Sequence, residues 1–352
     1  MSATAEVEPP TLESDAELSS SSRRITDLVL RGRTLGIVGI LVVFVVVVGL
    51  IQSSFLNGSN LRFILATTTV YGLIAIGETF VVITRNVDLS VGSVCGLSAY
   101  VSADMFQAHP GTSIVIAFAV GIGVGLACGL VTGAITAVGR VPSLVVTLAM
   151  LYIIRGVDTA VVGSGQVVSN SLPNGFINIF NATVIGIPDL TFVLAIACAI
   201  AWYYLRSYRS GRDLYAIGSD PDAARLAGVP ISRRIFFAFV LSGTIAGLAG
   251  VIWATQYNNI DSTAANGLEL QIVAAVVVGG VAIFGGSGSV VGAVLGALLL
   301  QTINVALNVL GVPSLWTEPI AGLLLIIAIT LDRGIQLRLA RALRKRRTHV
   351  GV

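Results

Sequence analysis

Few residues in this 352-residue chain could do chemistry, and most of those are polar groups stranded in apolar stretches. Tyr71, Glu78 and Arg85 recur at seven-residue intervals, which sets them along one stripe of a helix. Asp88 follows at once, inside Thr84-Arg-Asn-Val-Asp-Leu-Ser-Val-Gly-Ser93, where one apolar run breaks and the next begins. Gln301, Asn304 and Asn308 stand at i, i+3 and i+7 and form a second stripe. Polar side chains are costly in hydrocarbon, and in spanning segments they turn towards the bundle interior. Glu78, Asn86, Asp88, Gln301, Asn304 and Asn308 are therefore the candidates for lining a solute path. Amides and hydroxyls suit a neutral polyol, which must be held weakly enough to leave. For the amide stripe, hydrogen bonding between helices is an equal reading. For Glu78 and Asp88 the simpler reading is structural, with Arg85 or freed backbone groups as partners. The Asp88 carboxylate would cap the helix that restarts at Leu89.

Catalytic constellations are missing from the sequence. There is no Gly-x-x-x-x-Gly-Lys-Ser/Thr loop to cradle ATP phosphates, no Gly-x-Ser-x-Gly elbow and no basic-aromatic surface for nucleic acid. Gly286-Ser-Gly-Ser-Val-Val-Gly292 superficially resembles a dinucleotide loop, but its last spacing is one residue too long. His109 and His349 are isolated, and Cys95, Cys128 and Cys198 each sit in an apolar stretch as small buried hydrophobes. Neither a catalytic residue nor a metal ligand is expected.

The segment 206–234 carries a different chemistry, that of a surface meant for contact. Five of its six arginines surround Ser219-Asp-Pro-Asp-Ala-Ala-Arg-Leu-Ala-Gly228, which contains the sixth, Arg225. Asp220 or Ser219 can cap a helix, Pro221 suits its first turn and Gly228 its end. A helix of two turns results, with Ala223, Leu226 and Ala227 along one side. It could rest on anionic headgroups or dock a cytoplasmic partner. So short a helix is marginal in water, which suggests that something else holds it.

The elements that must position these residues are membrane spans. Charged residues make up 11% of the chain and apolar ones 55%, against about 25% charged in a soluble domain. Apolar runs near 36–55, 61–84, 89–107, 112–138, 143–163, 187–205, 232–256, 270–284, 288–310 and 314–331 approach the length that crosses a bilayer. Ten spans with both ends inside put 19 of the 21 Lys and Arg in the cytoplasm, leaving Arg62 and Arg155 elsewhere. The uncharged connection 164–186 and the acidic one 257–269 then lie outside. Glycines at 121, 125, 129 and 133, at 243 and 247, and at 292 and 296 make smooth ridges for close helix packing. The expected fold is an all-α polytopic transmembrane helix bundle of about ten spans with N- and C-termini cytoplasmic. Residues 1–33 form a disordered cytoplasmic tail ending in a basic flank, 34–333 the transmembrane domain with a long cytoplasmic loop at 206–234, and 334–352 a basic tail.

Tyr215-Ala-Ile-Gly-Ser-Asp-Pro-Asp-Ala-Ala-Arg-Leu-Ala-Gly228 closely resembles the coupling-helix region of ribose-type ABC importer permeases. Three further stretches resemble that family in the same order: Asp88-Leu-Ser-Val-Gly-Ser93, Gly267-Leu-Glu-Leu-Gln-Ile-Val-Ala-Ala running into Gly285-Gly-Ser-Gly-Ser289, and Asn304 through Gly311. Arg85-Asn86 stands where sugar permeases often carry two glycines, and Thr84–Ser93 is closer to the branch that imports autoinducer-2 or rhamnose. Pro142-Ser143 replaces a commoner Pro-Phe pair, and Gly133 stands where an asparagine is frequent.

The resemblance implies a multi-pass bacterial inner-membrane permease without catalysis of its own. A cytoplasmic ATP-binding-cassette ATPase would hold ATP and Mg, an extracytoplasmic solute-binding protein would deliver a small polar solute, and a second permease copy or paralogue would complete a dimer. It places ATPase coupling at Asp220, Ala223, Ala224, Arg225, Leu226 and Gly228. Nucleic acid is not among the partners. Branched-chain amino-acid permeases are the nearest rival, and an ion-driven secondary transporter is the rival from another class.

Overall fold

The computed structural model describes residues 35–257 and 259–330, so both terminal tails lie outside the described residues. Helices dominate because a segment in lipid must satisfy its own backbone groups. In chain order they are α1 (Leu35–Ile51), α2 (Gly58–Val82), α3 (Val91–Ala108), α4 (Ile114–Gly133), α5 (Ser143–Val162), α6 (Asn174–Asn181), α7 (Asp189–Ser207), α8 (Arg209–Ser219), α9 (Pro221–Leu226), α10 (Ile231–Gln256), α11 (Leu268–Val278), α12 (Val290–Val309) and α13 (Thr317–Thr330). Helix α4 ends in a π-helical turn, Ala134–Val138. Two antiparallel ladders of two residues per strand interrupt the connections: β1 (Val167–Val168) pairs with β4 (Asn259–Ile260), and β2 (Thr183–Val184) with β3 (Ile187–Pro188).

Every apolar run read from the sequence carries a helix, and six are long and apolar enough to cross a membrane: α2, α4 with its π turn, α5, α7, α10 and α12. Helices α1, α11 and α13 are shorter. The run at 270–284 is corrected: its helix stops at Val278, and Gly280 and Gly285 turn the chain at φ 87° and 78°. The polar stripe at Tyr71, Glu78 and Arg85 is corrected as well. Helix α2 ends at Val82, and Arg85 takes a left-handed φ of 66°, off the helix.

Two helices form the axis of the bundle. Helix α2 is 94% buried along its most apolar window, packed by α7, α10, α11 and α12. Helix α10 packs on α2, α3 and α4. Helices α4, α5 and α7 bury only 22–33% of theirs and present the rest outward. Small residues make the axis possible. A Cβ on Gly125 would lie 2.7 Å from the Cα of Gly247, and one on Gly243 would lie 2.7 Å from the Cα of Gly129. The glycine ridges of α4 and α10 thus meet face to face, giving the dispersion contacts that hold helices together in lipid. Two buried hydroxyls of α2 are satisfied within their own helix: Thr68 and Thr79 donate to Ile64 O and Ala75 O, each at 2.6 Å.

Candidate functional site

The ends of five helices enclose a polar cavity of about 340 Å³. Helix α2 contributes Thr67 and Tyr71, and α12 contributes Gln301, Asn304 and Asn308. Gln256 and Tyr257 come from the end of α10, Gln271 from α11, and Thr317 and Glu318 from the start of α13. The amide stripe grades inward: Asn308 is exposed, Asn304 half-buried and Gln301 buried. Asn308 donates to its own helix at Asn304 O, 2.9 Å. The Gln301 side chain is buried beside Tyr71, and its amide nitrogen makes no well-formed hydrogen bond among the described residues. Among the described residues the lining holds amides, hydroxyls and one carboxylate beside Phe63 and Val305, and no Lys, Arg or His.

The other path candidates lie elsewhere. Glu78 and Asp88 are fully buried together where α2 gives way to α3. Glu78 Oε1 accepts from the Asp88 backbone N–H at 3.0 Å. Asp88 Oδ1 accepts from the N–H and hydroxyl of Ser90 at 3.0 and 2.6 Å, and its Oδ2 from Ser242 of α10 at 3.2 Å. This knot satisfies backbone freed by the helix break and pins it to α10. Asn86 donates to Thr84 and lines a different cavity, of about 680 Å³, between the α4–α5 turn and the start of α10. The structure therefore brings Gln301, Asn304 and Asn308 together and leaves Glu78, Asn86 and Asp88 out of that group. Gln256, Tyr257, Gln271, Thr317 and Glu318 escaped the sequence reading. They come from helix ends far apart in the chain, where no spacing rule links them.

The segment 206–234 folds into two helices where the sequence suggested one. In α9, Asp220 caps the helix by accepting from the N–H groups of Asp222 and Ala223, both at 3.0 Å. Pro221 fills the first turn, and Gly228 leaves it at φ 76°. Leu226 is 91% exposed, with Ala223, Arg225 and Ala227 exposed beside it, while Ala224 turns inward at 4%. Helix α8 went unread because its arginines masked an amphipathic pattern in which Gly211, Leu214, Ile217 and Gly218 face inward. It supplies the external support that α9 needs. Arg234 pairs with Asp213 at 2.8 Å, and the Tyr215 hydroxyl donates to Gly288 O at 3.1 Å. Burial pushes the Tyr215 phenol up to about 12, so it remains a donor at physiological pH.

Arg85 reaches the same helix. Its Nε donates to Gly218 O at 2.5 Å and its guanidinium to Ser219 O at 2.6 Å, so a cation meets the negative end of α8. The left-handed backbone at Arg85 costs about 1 kcal/mol, a conformation that glycine would adopt without strain. On the opposite side of the bundle, Arg155 holds the loop after α10 by donating to Ser262 O and Ala264 O at 3.2 and 2.7 Å, and lies 3.5 Å from Asp158. In that loop Asp261 accepts from the Thr263 hydroxyl and N–H, which hold its carboxyl below the usual range.

Residues 60–329 match the family described as branched-chain amino acid transport system / permease component. The ribose import permease of Haemophilus influenzae is 34% identical over 83% of this chain and 90% of its own length. The corresponding protein of Escherichia coli K12 is 34% identical over 83% and 91%. The autoinducer 2 import permease of Salmonella typhi is 33% identical over 86% of each chain. No solved structure matches the chain. With four ordered motifs, a helical bundle of membrane-spanning length and relatives aligned along nearly their whole length, the chain belongs to this family of ABC importer permeases, in its ribose-type branch.

Proposed function

We propose that the chain imports a neutral polyol, a monosaccharide or sugar-like molecule of the ribose, rhamnose or autoinducer-2 class, through a path whose outer part is the cavity around Gln301. The observation that carries this reading is the lining. Nine hydroxyl and amide side chains and one carboxylate can exchange hydrogen bonds with a polyol, and none of the described lining residues is a cation that would meet an α-carboxylate. A branched-chain amino acid would bury its carboxylate there unpaired, at considerable cost. The exposed face of α9, with Ala223, Arg225 and Leu226, is the docking surface for a separate ATPase that holds ATP and Mg. Asp220 and Gly228 shape that helix, and Ala224 seats it on the bundle. An extracytoplasmic binding protein delivers the solute, and a second permease copy or paralogue completes the transporter.

The experiment is uptake into proteoliposomes containing the permease, its ATPase and its binding protein. Labelled monosaccharide uptake should fall about tenfold in Gln301→Leu, the loss of one or two hydrogen bonds. Unlabelled leucine should not compete. Undiminished uptake in Gln301→Leu would remove the cavity from the path, and competition by leucine would favour the amino-acid reading.

A further inference from the structure

Two helices that line the solute cavity are fastened at their opposite ends to the same cytoplasmic helix. Helix α2 runs unbroken from Thr67 in the cavity to Val82, about 22 Å, with no proline to absorb movement. Just beyond it, Arg85 bonds to Gly218 O and Ser219 O, and Ile83 O accepts from Gly286 N–H at 2.9 Å. Helix α12 begins two residues after Gly288, whose carbonyl holds the Tyr215 hydroxyl, and reaches Gln301 about 16 Å further on. The packing leaves no slack: a Cβ on Gly218 would strike both the Ile83 carbonyl and the Gly286 N–H. Ser219, the last residue of α8, is separated from α9 only by the cap Asp220. A displacement of α9 therefore moves the end of α8 on which these bonds converge.

We propose that Arg85 and Tyr215 are positioning residues that transmit movement of the docking helix to the solute cavity, Arg85 through α2 and Tyr215 through α12. The inference rests on the reading of α9 as the ATPase dock. Arg85 is a poor fit to its own backbone, where glycine would sit without strain, and a good fit to two carbonyls at a helix C-terminus. Tyr215 contributes only its hydroxyl to the link, so phenylalanine removes the bond and keeps the ring.

The test reads the cavity directly and requires no solute. The cavity-mouth substitution Asn308→Cys is introduced with the three native cysteines replaced, in the assembled permease–ATPase complex. Its labelling by a membrane-impermeant maleimide is timed without nucleotide and with ATP and vanadate. The parent complex should show a change in labelling rate of about fivefold between the two states. Adding Arg85→Gly or Tyr215→Phe should leave the ATPase bound and abolish most of that change, and Arg85→Lys should restore part of it. A full nucleotide-dependent change in both variants would overturn the proposal. So would loss of the ATPase or early melting in Arg85→Gly, since the residue would then be an ordinary structural contact. Leu226→Arg separates the underlying reading: if that variant keeps its ATPase, α9 is not the dock, whatever Arg85 does.

Discussion

At the residue scale, the buried carboxylates lie at the break between α2 and α3, away from the amide-lined cavity. Glu78 and Asp88 have the chemistry of solute ligands, yet Asp88 is spent on Ser90 and Ser242, and Glu78 holds the Asp88 N–H through one of its oxygens. Asp88→Asn retains an oxygen for Ser90 and an amide beside the Ser242 hydroxyl, so it should assemble and transport almost normally. Asp88→Ala strands three donors and should lose about 1–3 kcal/mol in an unfolding titration. A stable, assembled but transport-dead Asp88→Asn complex would show that the charge works in the transport cycle. Freed backbone was legible in the sequence as a partner of these residues, but the helix expected to restart at Leu89 begins at Val91, and Asp88 accepts from the Ser90 N–H ahead of it rather than capping it. Arg85 was not legible: it was read beside Asp88, and it reaches instead to carbonyls more than a hundred positions away, a pairing that no local rule contains.

At the element scale, periodic signals survived and compensated ones did not. Helix α9 was readable to its cap, first turn and exit because Asp220, Pro221 and Gly228 each answer a local backbone requirement. Helix α8 escaped because arginines interleave with its apolar residues, and α11 was drawn too long because glycines that end a helix also pack helices. The ridge on α4 permits a sharper test. Gly125 faces the backbone of α10 with no room for a side chain, whereas a Cβ on Gly123 would meet nothing within 4 Å. Gly125→Val should therefore cost about 1–3 kcal/mol and lower the yield of folded permease. Gly123→Val, two residues away in the same helix, should melt like the parent. Equal melting temperatures for the two variants would mean that α4 and α10 do not meet along their glycines.

At the scale of the whole molecule, the arrangement is an axis of α2 and α10 with a polar cavity near one end and the short helix α9, fastened through α8, near the other. The charge pattern predicts which end faces which compartment. Reporter fusions at positions 22, 140, 218 and 340 should read cytoplasmic, and those at 170 and 262 extracytoplasmic. A cytoplasmic signal from position 170 would overturn the ten-span topology. The cavity's chemistry was half legible, through Gln301, Asn304 and Asn308 on one helix. The half supplied by Gln256, Gln271 and Glu318 exists only once the helices pack. The most direct test of the account is the energy source of uptake in proteoliposomes built from this permease, its ATPase and its binding protein. Labelled monosaccharide should accumulate only when all three proteins and ATP are present, and ionophores that collapse every ion gradient should leave accumulation unchanged. Accumulation by the permease alone, driven by an ion gradient and abolished by ionophore, would contradict it.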